Sequence, residues 1–256
     1  MVELKSPAEI EALKEAGRIS AKVLRLVGAA VEPGISTAEL DAMAERLFKE
    51  EGAIPGFKGY GGFPGSICAS VNEEIVHGIP SKKKILHEGD IISIDTGAIV
   101  DGWYGDNAWT YPVGKIRPEV RELLDVTEKS MWNGISAARA GNHLGDIGAA
   151  VEHLANKHHY GVVRELVGHG IGRDMHEEPN VPNYGHKHFG MKLEVGMCLA
   201  IEPMFNLGSR KIRFWDDGWL ITARDGSWSA HFEKSVAITP EGPIVLTTEP
   251  DHERPV

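Results

Sequence analysis

Apolar residues recur along the first fifty positions at the spacing of an α-helix, and further on at the spacing of a strand. Ile10, Leu13, Ile19, Val23 and Leu26 fall on one helical stripe. Ser6-Pro7-Ala8-Glu9 ahead of them is a start signal: Ser6 can cap, Pro7 suits the first turn, and Glu9 can close a capping box. A second stripe, Leu40, Met43, Ala44, Leu47 and Phe48, predicts a helix beginning at Ser36 or Thr37 and ending at Gly52. Residues 55–65 hold five glycines and two prolines and predict a loop. Ile67 to Val71 predicts a short strand. Ile91 to Thr96 predicts an alternating strand running into Gly97, with a partner from about Gly105 to Tyr111.

The same order then returns. Pro118 opens a helix ending before Gly141, and another runs from about Leu144 to His159, stopped at Gly161. Val162 to Val167 and Met197 to Glu202 predict strands. Trp219 to Ala223 and Ser227 to Ile238 predict a hairpin turning at Asp225-Gly226. Leu86-x-x-Gly89-x-x-Ile92-Ser93-Ile94-Asp95 aligns with Leu193-x-x-Gly196-x-x-Leu199-Ala200-Ile201-Glu202, every pair 107 residues apart. The same shift carries the first helix pair onto the second within a few residues. The pattern predicts one α/β domain, 1–256, with an internal two-fold repeat whose halves span about 1–110 and 111–250, because no linker or low-complexity segment divides it. Such a repeat places Asp95 and Glu202 at equivalent positions near one pseudo-axis, where two halves would build a shared site.

Composition narrows the function. Hydrophobic residues make up 42% and charged residues 25%, ordinary for a globular chain. The net charge of −10 argues against binding to nucleic acid, sequence-specific or not, which needs clustered Lys and Arg. Cys68 and Cys198 form neither a disulfide framework nor a CxxC metal site. The start MVELKSPAEIEALKEAG lacks the pattern of a signal peptide, and no apolar run of about 18 residues suggests a membrane span. A cytoplasmic protein is expected.

Five residues carry chemistry. Asp95 ends an apolar strand, and Asp106 follows eleven residues on in its partner. His169 sits in Gly168-His169-Gly170-Ile171-Gly172. Glu202 precedes Pro203, and Glu233 is expected inside a strand from His231 to Ile238. A lone Asp at a strand end is most often a turn former, and a lone His between glycines most often a loop residue. Acids embedded in apolar strands, however, are costly to bury unless paired or bound to a cation. Four carboxylates balance two doubly charged ions, and oxygen-rich ligands with one imidazole suit Mn, Fe, Co or Zn. Two such ions can share a bridging water and present it as hydroxide.

The segments DTGAIVDGWYGD (Asp95, Asp106), GHGIGRDMHEEP (His169), AIEP (Glu202) and HFEKSVAIT (Glu233) resemble the five-ligand set of methionine aminopeptidases, and the likeness runs from about residue 4 to 248. It implies the pita-bread fold, α/β with two pseudo-two-fold halves around a central antiparallel sheet and outer helices. The 31-residue spacing from Glu202 to Glu233 lacks the insertion of type II enzymes, and the start lacks a zinc-binding extension, so the chain is similar to the compact bacterial type I form.

Carried over by position, the resemblance implies one divalent ion on Asp106, His169, Glu202 and Glu233, and another on Asp95, Asp106 and Glu233. Co, Mn, Fe, Zn and Ni all suit the ligands. Glu202 would also move a proton, while His77 and His176 would contact the substrate amide and stabilise the tetrahedral intermediate. The pocket for the methionine side chain maps to Phe57, Tyr60, Phe63, Cys68, His77, Met175, His176 and Trp219. The family more often has Tyr where Phe63 stands and an aromatic where Met175 stands, departures that bear on pocket shape. A monovalent cation near Asn72 and Ser229 is implied as well. Remaining histidines, including His143, His153, His158, His159, His186 and His188, are expected at the surface. The expected substrates are N-termini of nascent polypeptides with a small second residue, with the ribosome as a partner through the basic loop Ser209-Arg210-Lys211-Ile212-Arg213. Rival readings are an Xaa-Pro dipeptidase or aminopeptidase of the same fold, which usually carries a further N-terminal domain, and a non-catalytic binding protein that kept the fold, which would typically lose ligands.

Overall fold

The computed structural model describes residues 2–249; Met1 and residues 250–256, which the expected domain includes, lie outside the described residues. The first helix, α1, spans Pro7–Ala29. Its capping box is formed: Glu9 N–H donates to Ser6 Oγ (3.4 Å) and Ser6 N–H to Glu9 Oε2 (2.8 Å). Its buried face is Leu13, Ile19, Val23, Leu24 and Val27, whereas Leu26 is half-buried on the flank of the expected stripe. Burying each such aliphatic side chain contributes roughly 1.5–3 kcal/mol. The second helix, α2 (Thr37–Glu50), is capped by Ser36 and buries Leu40, Ala44 and Phe48. Helices α3 (Pro118–Ala137) and α4 (Leu144–His158) form the second pair. In α4 Asp146 reaches back to the His143 N–H (2.8 Å), so His143 is half-buried at a cap and not a free surface residue.

All strand pairings among the described residues are antiparallel. Strand Ile91–Val100 lies between Ile67–Val71 and Trp103–Pro112. It runs beyond the expected Thr96 because Asp101 and Gly102, at φ 50° and 76°, make a tight turn into Trp103. In the other half, strands 242–245, 234–239, 198–201, 168–170 and 177–181 follow one another across a sheet.

The two halves repeat in detail. Gly89 and Gly196 hold nearly the same left-handed φ, 95° and 94°, each at the turn into its strand. Thr37 N–H bonds Lys84 O and Leu144 N–H bonds Met191 O, both at 2.9 Å, and every residue of the second pair is offset by 107 from the first. The isolated bridges Ser36 to Ile85 and His143 to Lys192 obey the same offset. The chain therefore has the pita-bread fold, two related halves with helices outside the sheets.

Three expectations need correction. Val162 to Val167 is not one strand: Gly161–Val162 pairs with Phe205 and Asn206, the exposed Arg164 and Glu165 break the apolar run, and the chain re-enters another sheet at Gly168–Gly170. Trp219 to Ala223 and Ser227 to Ile238 do not form a hairpin. Asp225-Gly226 does turn, but the Asp225 carboxylate accepts from Ser209 N–H (2.7 Å) and Ser227 Oγ (2.7 Å), and Ile221–Ala223 pairs instead with Ile212–Phe214. The segment from His231 to Ile238 is broken at Phe232 and Glu233, so Glu233 stands in an interruption between Ser229–His231 and Lys234–Thr239.

Candidate metal centre

Asp95 stands opposite Ala108 in the ladder and Asp106 opposite Gly97, so the two acids form a diagonal pair on one face of the sheet. His169 belongs to strand Gly168–Gly170. A Cβ on Gly168 would fall 2.2 Å from Ala200 O, and one on Gly170 the same distance from Glu178 O. Only glycine therefore lets the flanking backbones close on His169 from both sides. Glu202 lies in a break between Cys198–Ile201 and Met204–Asn206, where Pro203 has no N–H for a ladder. Glu233 lies in the facing break, its own N–H donated to Ala108 O (2.9 Å).

These breaks turn both glutamates toward the aspartates. One ligand atom from each of Asp106, His169 and Glu233 lies within 4.8 Å of the others. His169 Nε2 is 3.6 Å from Glu202 Oε1 and 3.9 Å from Asp106 Oδ2. Its Nδ1 is 2.8 Å from Gly170 O, so Nδ1–H donates there and Nε2 presents a lone pair to the acids. The sequence-predicted ligands thus converge on one point.

Burial pushes the Asp95, Glu202 and Glu233 carboxyls well above the ordinary range, and the neighbouring acids push them further. Burial lifts Asp106 to about 7 against hydrogen bonds from Asp95 and the Asn107 backbone. His169 is depressed to about 4 by burial and by His176. Asp95 Oδ1, Asp106 Oδ1 and Glu233 Oε1 are buried with no hydrogen-bond partner. Such orphaned acceptors are expensive. A cation satisfies them and reverses the repulsion that raises the pKa values, so this donor set fits divalent metal.

The cluster of acids and His169 floors a pocket of about 180 Å³. All eight predicted pocket residues line it, together with the four acids and the His169 imidazole. Phe57, Phe63, Cys68 and Met175 are buried together, and the Phe63 ring meets Trp219 edge-on at 5.1 Å. The Met175 methyl covers Gly56 and Gly97, where an added Cβ would approach it to 3.0 and 3.4 Å. His77 sits at φ 58°, a left-handed conformation that costs a non-glycine residue about 1–3 kcal/mol and tends to persist at functional sites. Burial lowers its imidazole to about 4, against a bond that it donates to the Trp219 backbone. His176 lies exposed at the mouth, its Nδ1 2.8 Å from the Tyr60 hydroxyl and its ring centroid 4.4 Å from that of His169.

The pocket also contains Val76, Leu166, Val167, Met204 and His231, which the sequence reasoning did not assign to it. His231 and Met204 each lie two residues from a predicted ligand, and the period of a strand could have flagged them. Asn72 and Ser229 adjoin through Ser229 N–H to Asn72 O (2.9 Å). The Asn72 side chain is engaged with Asp90 and Ile91, and the Ser229 hydroxyl with Phe205 O.

Residues 11–240 match the model of metallopeptidase family M24. The chain is 49% identical to a methionine aminopeptidase of Clostridium acetobutylicum and 50% identical to methionine aminopeptidase 1 of Bacillus subtilis, in both cases across 96% of this chain and 99% of the relative. The crystal structure of a methionine aminopeptidase from Thermotoga maritima superposes with a TM-score of 0.95 at 42% identity, covering 97% of this chain and all of that one.

Proposed function

The chain belongs to metallopeptidase family M24, and from that membership we propose how its residues divide the work of removing an N-terminal methionine. The protein is a metal-dependent hydrolase of that activity, and N-termini of proteins are its substrates. On our reading the metals number two. Asp106, His169, Glu202 and Glu233 hold one, and Asp95, Asp106 and Glu233 the other, with Co, Mn, Fe, Zn and Ni all compatible with the ligands. The bound metals supply Lewis-acid activation of the attacking water.

The chain's own residues do the rest. Glu202, half-buried on the pocket floor and facing His169, takes the proton released by the water and passes it to the leaving amine. His176, held by Tyr60, and His77 at the pocket wall face the scissile amide and its developing oxyanion. Phe57, Tyr60, Phe63, Cys68, Met175 and Trp219 enclose the methionine side chain. The observation that carries this reading is the meeting of an apolar, sulfur-bearing pocket with orphaned carboxylate oxygens at its floor.

The two repeats, about 1–110 and 111–250, serve as halves of a single metallo-aminopeptidase domain with the site between them. A monovalent cation belongs beside Asn72 and Ser229 in the same reading. Among the described residues no helix is long and apolar enough to cross a membrane. We place the enzyme in the cytoplasm, where nascent chains emerge, and its exposed Arg210, Lys211 and Arg213 against the ribosome. Assay of metal-reconstituted protein on Met-Ala peptides beside Xaa-Pro peptides tests the central reading: cleavage confined to the methionyl series is expected, and preference for Xaa-Pro would overturn it.

A further inference from the structure

One buried polar atom of the pocket has no role in the account above: Nε2 of His231. The residue is 2% exposed, lines the pocket, and its Nε2 has no hydrogen-bond partner. Its backbone is fixed on both sides. Met204 is its ladder partner, and Thr110 Oγ1 accepts from His231 N–H (2.9 Å) and lies 2.8 Å from His231 O. The His231 backbone is thus anchored to the same strand that carries Asp106.

Nε2 of His231 lies 3.7 Å from Glu202 Oε2 and 3.9 Å from Glu233 Oε2. The other oxygen of Glu202, Oε1, faces His169 Nε2 at 3.6 Å. Glu202 is therefore flanked by two imidazoles, one on each oxygen. They are not equivalent. His169 commits its Nδ1 hydrogen to Gly170 O and offers Glu202 only a lone pair, so that side of the carboxylate is the metal side. Among the described residues no side chain donates to Oε2 at hydrogen-bond distance, and His231 is the nitrogen that faces it. The terminal torsion of a glutamate is broad, so a modest rotation brings the pair to hydrogen-bond distance, and contacts of this kind often tighten only in the working complex.

We propose that His231 is a positioning residue for Glu202: its Nε2–H donates to Oε2, holding the carboxylate with Oε1 toward the metal beside His169 and the second oxygen set to receive and release a proton. This deepens the assignment of Glu202 made above and rests on it.

Three variants test the inference. In H231Q the amide nitrogen falls near the place of Nε2 and keeps the donor. In H231N it falls near Nδ1 and loses it, and H231F keeps a ring without any donor. Co²⁺ binding by titration calorimetry is measured for each folded variant, with kcat and KM on a Met-Ala peptide. Groups that orient metal ligands from behind typically cost about 10- to 100-fold in affinity or activity when removed. H231F and H231N are expected to lose about that much in kcat and in Co²⁺ affinity with KM nearly unchanged, and H231Q is expected to recover most of both. Wild-type kcat and affinity in H231F would overturn the inference. So would an H231Q as damaged as H231F, which would make His231 a ligand or a packing residue. E202A keeps the two failures apart. If it loses Co²⁺ affinity while H231F does not, this inference alone falls, whereas unchanged affinity in E202A brings down the ligand assignment and the inference with it.

Discussion

Glu202 and Glu233 occupy facing breaks in two neighbouring strands: Ile201 pairs with Lys234, Met204 pairs with His231, and the residues between leave the ladder together. Each acid is thereby released from the sheet, Glu202 facing His169 and Glu233 facing Asp106 and His169. Glu202→Gln preserves shape and removes both a charge and a proton acceptor. A general acid or base is worth about 10²- to 10⁴-fold, and because Glu202 is also read as a ligand, kcat for E202Q should fall by more than that. Steady-state kinetics on metal-saturated protein check this, and a variant within tenfold of wild type removes Glu202 from the chemistry.

Chelation should abolish activity, and Co, Mn or Fe should restore it; turnover that survives exhaustive chelation rules out the mechanism. Removing metal should also leave a pH signature in stability. Asp95, Glu202 and Glu233 are raised well above the ordinary carboxyl range and Asp106 to about 7, by burial first. Above pH 6.5 the unfolded chain has lost these protons while the metal-free fold, with its carboxyls raised, retains more of them, so its stability falls as pH rises. His77, His169 and His231 are depressed by burial. Their contribution is lost only as pH drops below about 6.5, and Lys234, lowered by burial to about 8, offsets the carboxylates only at the upper end, so the four carboxylates set the direction from about 6.5 to 8.5. The metal-free protein should melt lower at pH 8.5 than at 6.5, and saturating metal should shrink the difference, because ligation favours the ionised carboxylates. Calorimetric melts at the two pH values decide it, and a metal-free Tm that rises with pH contradicts the stated cause.

The sequence disclosed the parts of this molecule that depend on local rules. The capping box at Ser6, the helix start at Ser36 or Thr37 and the offset shared by Gly89 and Gly196 are written in short segments, and the structure realises them as expected. The candidate acids stood out for a related reason, since acids within or beside apolar strands have few uses. Partner choice was not readable. Asp225-Gly226 signals a turn, yet its carboxylate accepts two hydrogen bonds, from Ser209 and Ser227, and the following strand pairs with Met204–Asn206, a long-range pairing that no local pattern contains. His231 was missed because its importance lies in facing Glu202, which only the broken strands bring about.

His176 takes its orientation from Tyr60, whose hydroxyl lies 2.8 Å from Nδ1. If His176 faces the developing oxyanion as proposed, His176→Ala should cost about 10²- to 10³-fold in kcat. Tyr60→Phe deletes one hydrogen bond, worth about 0.5–1.5 kcal/mol, and should cost roughly 2- to 10-fold. A Tyr60→Phe loss as large as that of His176→Ala would mean that Tyr60 touches the reacting atoms itself.

Arg210, Lys211 and Arg213 are exposed on a chain of net charge −10, and Arg213 stacks over Trp215 at 4.2 Å. A basic patch on an acidic protein concentrates attraction for polyanions in one place. Changing the three to Glu should weaken co-sedimentation with ribosomes while leaving turnover of a short peptide intact. Unchanged sedimentation discards this loop as a docking surface.

Specificity follows from the shape of the pocket. Phe57, Phe63, Cys68 and Met175 are buried around it, and Trp219 closes one side edge-on to Phe63. An unbranched, polarizable thioether fits between aromatic edges and gains sulfur–aromatic contact. Norleucine shares the length without the sulfur, whereas leucine branches early and meets the wall that Met175 makes over Gly97. A mismatch of about one methylene in such a pocket is worth roughly 1–3 kcal/mol, or 10- to 200-fold in kcat/KM. Norleucyl peptides should therefore be cleaved measurably and leucyl peptides poorly. At the next position the metal ligands and His77 crowd the substrate, so Gly, Ala, Ser and Val should be accepted and Phe refused. The measurement is kcat/KM across Met-Xaa and Xaa-Ala peptide series. Equal turnover of Met-Phe and Met-Ala, or of leucyl and methionyl peptides, would show that this pocket does not set the specificity.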